Sequence, residues 1–216
     1  LLVSTGAAEV ILVALALLFG SPIPLLPVQL LWLNLVTNGI QDVALAFEPG
    51  LGDERLSPPR PTRESIFNQL MIERTLVAAL FMGIVGFGLF RWCLAVGRSV
   101  EAARNALLIL MVLFENVHLF NSRSETRSAF FMSPFRNPVL IVGMIAAFSL
   151  HLAMTYLPFG NVLLETQPID LEMWLWLLAL SVPILFVMVL HKLSWKLRQK
   201  KSGQLILGVW EYRRED

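Results

Sequence analysis

LLWLNLVTNGIQDVALAF, residues 30–47, is an apolar segment long enough to cross a bilayer, yet it carries Asn34, Thr37, Asn38, Gln41 and Asp42. These positions recur at i, i+3, i+4, i+7 and i+8, so on a helix they form one polar stripe. Oxygen-bearing side chains inside hydrocarbon are costly unless they face protein, water or an ion, which makes such a stripe a functional candidate by default.

The rest of the chain places that segment in a membrane. Of 216 residues, 56% are hydrophobic and 15% charged, and the mean hydropathy is +0.67, values outside the range of a soluble domain. Charged residues gather between apolar stretches at 1–19, 28–47, 70–90, 106–120, 138–157 and 173–190. Each is about the length needed to cross hydrocarbon. The sequence therefore predicts an all-α polytopic membrane protein, a bundle of six transmembrane helices over residues 1–195. It further predicts a loop at 48–69 within the bundle and a basic tail at 196–216.

Orientation follows from the basic residues. Fourteen of the 17 Lys and Arg fall in 48–74, 121–137 and 191–216, against Arg91, Arg98 and Arg104 on the other side. Basic short loops stay in the cytoplasm, so both termini are expected there, in a multi-pass protein of the plasma membrane. The stretch from Leu1 has no basic n-region, no initiator methionine and no cleavage site. It is read as the start of a mid-protein segment and not as a signal peptide. A net charge of +1 gives no reason to expect nucleic acid. The lone Cys93 makes no intrachain disulfide and has no metal-ligand spacing with His118, His151 or His191.

Two carboxylates join the stripe. Glu9 stands among Gly6, Ala7, Ala8 and Val10, small residues that admit a neighbouring helix, and Glu115 lies within LILMVLFENVHLF, residues 108–120. Carboxylates, amides and a hydroxyl are the hard oxygen donors that a cation such as Ca²⁺ takes. Gly39 offers a place where a helix could open to free a carbonyl, or where another helix could pack closely. His118 is read as a hydrogen-bonded core residue and stands outside the site.

The run PVQLLWLNLVTNGIQDVALAFEP (27–49), preceded by STGAAEV (4–10) and followed by PPRPTRE (58–64), resembles the C-terminal membrane region of P-type cation-transporting ATPases, nearest the calcium-pump branch. The resemblance implies that the chain corresponds to the fifth to tenth membrane helices of such a pump. Glu9, Asn34, Thr37 and Glu115 then match ligand positions. Gly6 replaces an asparagine ligand, and Asn38 replaces an aspartate that bridges two ions. The implied ion-binding set is Glu9, Asn34, Thr37, Asn38 and Glu115, with Asp42 and Gln41 as possible additions, and the implied transported ion is Ca²⁺. Losing the bridging carboxylate leaves open a monovalent-cation pump or fewer ions.

In that family ATP phosphorylates an aspartate in a cytoplasmic domain, and domain movements open the membrane site to each side in turn. The chain has no DKTG-type motif, so ATP and Mg²⁺ belong to cytoplasmic domains outside it. Its partners are lipid and the remaining helices and domains of the same pump. It holds no catalytic residue and alone should be inactive. By resemblance, the loop at 48–63 touches the phosphorylation domain. A secondary transporter or channel, which would show internal repeats, and a structural membrane module are the other readings.

Overall fold

The structure, a computed structural model, describes residues 1–50, 68–124 and 129–201. Most of the 48–69 loop and residues 202–216 of the basic tail lie outside the described residues. Helices follow in the order α1 (Leu2–Leu18), α2 (Pro27–Trp32), a π-helical turn (Leu33–Thr37), α3 (Asn38–Ala46), α4 (Gln69–Ala95), α5 (Val100–Ser122), α6 (Pro138–Tyr156), α7 (Pro158–Leu164), α8 (Leu171–Ser181) and α9 (Pro183–Lys201).

Short polar side chains start α4, α5, α6 and α8 by satisfying first-turn N–H groups. Asn68 accepts from Met71 N at 2.8 Å, Asn137 from Leu140 N at 2.9 Å and Asp170 from Met173 N at 2.8 Å. Proline occupies the first position of α2, α6, α7 and α9, where its missing N–H costs nothing. Gly97 leaves α4 at φ +83°, a left-handed turn that suits glycine.

Among the described residues six apolar rods result, in keeping with the predicted architecture. Four runs, 69–95, 100–122, 138–156 and 171–199, are long and apolar enough to cross a membrane by length and composition. The first rod, α1, has 17 residues, and the second is the unit α2–π turn–α3. The last is one path with its helix broken at Val182–Pro183, where proline cannot donate to the ladder. The short helix α7, which docks under α6, has no counterpart in the sequence reading.

The fourth rod is the core. Residues Asn105 to Asn116 of α5 are buried without a break, because α3, α4, α8 and α9 all pack around it. Close approach depends on small residues. A Cβ at Gly83 would lie 2.6 Å from Ile11 Cγ2, and one at Gly143 would lie 2.8 Å from Ala44 Cβ. Large apolar side chains such as Leu17, Leu35, Val43, Ile84 and Val142 face outward. In lipid that is their favourable environment. The geometry that matters most is the packing of α3 and its π turn on α5 and α6, with side-chain bonds reaching α1.

Candidate functional site

The polar stripe divides into two edges. Asn34 and Asn38 meet α1: Asn34 Nδ2 donates to both Glu9 carboxyl oxygens, at 2.9 and 2.7 Å, and Asn38 Nδ2 donates to Thr5 Oγ1 at 3.0 Å. Thr37 and Gln41 meet α5: Thr37 Oγ1 lies 2.5 Å from Glu115 Oε2, and Gln41 Nε2 donates to Asn116 Oδ1 at 3.3 Å. Residues four apart thus share a partner helix, as a wedge between two neighbours requires.

The π turn makes this possible. Its wider spacing, with Asn38 N–H donating to Leu33 O, rotates the residues after it relative to those before. Such a turn in an otherwise regular helix is frequent at functional sites. The break falls just before Gly39, where a Cβ would lie 3.9 Å from the Asn34 carbonyl oxygen.

Burial is deep. Thr37, Asn38, Gln41 and Glu115 are fully buried, and Glu9 is 8% exposed. Buried polar atoms are normally paired, yet Asn38 Oδ1, Gln41 Oε1 and Glu115 Oε1 have no hydrogen-bond partner among the described residues. All three are acceptors. Asn38 also lies against the Glu115 carboxyl. No group of three or more His, Cys, Asp or Glu gathers among the described residues, so any cation held here would rest on a mixture of carboxylate, amide and hydroxyl oxygens.

The structure brings together Glu9 with Asn34, and Thr37 and Asn38 with Glu115. Gln41 forms the next tier. Asp42 is half-buried at the edge of the stripe nearer the basic end. Thr5 and Asn116 hold the stripe in place and were not singled out in the sequence, although Thr5 sits one turn before Glu9 and Asn116 directly follows Glu115. His118, with Nε2 at 3.2 Å from Ser4 Oγ, ties α5 to α1.

A family model for the C-terminus of cation-transporting ATPases matches residues 22–194. The chain belongs to that family. Its relatives agree: it is 33% identical over 194 residues, 90% of its length, to a probable cation-transporting ATPase F of Mycobacterium tuberculosis. It is 30% identical over 196 residues to a probable calcium-transporting ATPase of Trypanosoma brucei brucei, and 28% identical over 183 residues to a calcium-transporting ATPase of Bacillus subtilis, covering 79% and 83% of the chain. The chain spans about a fifth of the length of these relatives, 21%, 19% and 20% respectively. This cation-transporting ATPase C-terminus is therefore a multi-pass membrane unit whose polar stripe, hydrogen-bonded as described, lies within its second rod.

Proposed function

We propose that the chain supplies, within an ATP-driven P-type pump, most of an intramembrane cation site together with the scaffold helices around it. Glu9, Asn34, Thr37, Asn38 and Glu115 are the ligands, Gln41 and Asp42 a second tier, and Ca²⁺ the transported ion, as the names of the trypanosomal and Bacillus relatives suggest. Residues 1–195 form the membrane unit, with the basic loops and both termini in the cytoplasm of the cell membrane. Phosphorylation and ATP binding belong to other domains of the parent protein.

One observation carries the reading. Carboxylates from two helices converge on the stripe, while three buried oxygens around Glu115 lack a donor among the described residues. A hydroxyl has one hydrogen to give, yet Thr37 Oγ1 has Leu33 O at 2.7 Å and Glu115 Oε2 at 2.5 Å. A second positive centre beside Glu115, proton or cation, completes that set.

Asn38 supports a second reading, transport of a monovalent cation. An amide where calcium pumps have an aspartate leaves less negative charge to offset a divalent ion. The test is ATP hydrolysis by the full-length parent protein in vesicles as Ca²⁺, Na⁺, K⁺ and Mn²⁺ are varied, with Glu9→Gln and Glu115→Gln alongside. Stimulation by one cation, with a half-saturation shifted by both substitutions, names the ion and supports the site. Indifference to every cation and to both substitutions overturns it.

A further inference from the structure

From Thr37 and Glu115 onward, α3 and α5 stay joined for two to three more turns. The two helices run in the same direction, and their contacts climb together: Thr37 with Glu115, then Gln41 with Asn116. Ala44 and Leu119 follow in one small buried cluster closed by Leu140 of α6. The last contact is the strongest. Arg123 Nη2 and Nε meet the two oxygens of Glu48 at 2.7 and 3.0 Å, a bidentate pair with the arginine 7% exposed. Asn137 Nδ2 adds a bond to Glu48 Oε2 at 3.1 Å and one to Ala44 O at 3.1 Å, while Arg123 Nη1 donates to Ser133 O at 2.9 Å.

The result is a closed frame. One side runs along α3 from Thr37 to Glu48, the other along α5 from Glu115 to Arg123, about 16 and 12 Å at 1.5 Å per residue. A forked guanidinium–carboxylate pair fixes angle as well as distance. Rotation or sliding of α3 against α5 therefore breaks it before it misaligns Thr37 and Glu115. We propose that Glu48, clamped by Arg123 and Asn137, is a positioning residue for the cation site, setting the register in which the stripe meets Glu115. The proposal rests on the cation-site reading above. Arg136 Nη2 then donates to Pro49 O at 3.3 Å and to Gly50 O, so the clamp sits where the site meets the start of the loop that follows α3.

The experiment uses the full-length parent protein in vesicles and nanodiscs, with Glu48→Gln, Arg123→Gln, their double variant and Arg123→Lys. Cation-stimulated ATP hydrolysis should show each single substitution raising the half-saturating cation concentration about tenfold, within the usual range of site-to-site coupling, with maximal rate largely kept. The double variant should be no worse than either single one, and Arg123→Lys should fall between. In parallel, amide hydrogen exchange without added cation should quicken in Glu48→Gln through the π turn at 33–37, far from the substitution. An unchanged half-saturation in a cation-responsive wild type overturns the proposal. So does faster exchange confined to residues 44–50, which would make the pair a local cap. Faster exchange reaching 33–37 in a protein that no cation stimulates supports the clamp and removes the cation reading instead.

Discussion

Thr37 tests the site most sharply, because its hydroxyl reaches both a backbone carbonyl and the Glu115 carboxyl. Thr37→Val keeps the shape and removes the oxygen. A hydrogen bond to a charged group is worth about 1.5–3 kcal/mol, so the half-saturating cation concentration of the parent pump should rise roughly ten- to a hundredfold, while Thr37→Ser stays near wild type. Cation titration of ATP hydrolysis measures both. Asn38→Asp places a second carboxyl against Glu115 in a fully buried position. In chelator it should lower the thermal unfolding temperature of the parent protein, since an unpaired buried charge is costly. Added Ca²⁺ should then restore more stability than it gives wild type, because a ligand that binds only the folded state stabilises it. Equal calcium shifts in both proteins would argue against Asn38 as a ligand position. At this scale the sequence was informative about which residues are polar inside lipid. It was silent on their partners: nothing in the spacing of the stripe alone assigns 34 and 38 to α1 and 37 and 41 to α5. Thr5 and Asn116 went unnoticed because a lone hydroxyl or amide at a helix interface has no composition signal.

Among the elements, the apolar lengths were legible and the irregularities only partly so. Runs of Leu, Val and Ala between Pro, Gly and charged residues located the rods, and the last one breaks at Pro183, where proline cannot donate to the ladder. The π turn did not show, because one extra residue per turn shifts the phase of a polar stripe without interrupting it. Glycine 39 pointed to the right neighbourhood. α7 was missed because seven residues after Pro158 are too short to carry a period. Packing of α1 on α4 offers a prediction with its own control. Gly83→Ala forces a Cβ to within 2.6 Å of Ile11 Cγ2, whereas a Cβ at Gly88, five residues on along the same helix, meets nothing within 4 Å among the described residues. Gly83→Ala should cost about 1–3 kcal/mol by overpacking, and Gly88→Ala should be near neutral. Thermal unfolding of the detergent-solubilised parent protein compares them, and equal loss from both would mean that α1 and α4 are farther apart than described.

At the scale of the whole molecule, the distribution of charge predicts how the bundle is oriented. The end bearing Arg74, Arg123, Arg136, Lys192 and Arg198 is stitched across helices: Lys192 Nζ donates to Asn121 O at 2.9 Å, and Arg198 Nη2 meets Glu73 Oε2 at 2.5 Å. The opposite end has Arg91 on Ser21 Oγ at 3.0 Å and Arg104 on Ile23 O at 3.0 Å, holding the hairpin between α1 and α2. The excess of basic residues at the first end predicts that it faces the cytoplasm. Side-specific thiol labelling of the parent protein in intact cells checks this. Cysteines outside this chain are first replaced in the parent protein, and the one within it, Cys93, is fully buried, so background labelling should be low. Arg98→Cys lies at an exposed position between α4 and α5, and Lys196→Cys at an exposed position on α9. A membrane-impermeant maleimide should label Arg98→Cys from outside and leave Lys196→Cys untouched until the membrane is permeabilised. The reverse pattern would turn the bundle over, and with it the side from which the Glu48–Arg123 clamp, at the basic end, is reached.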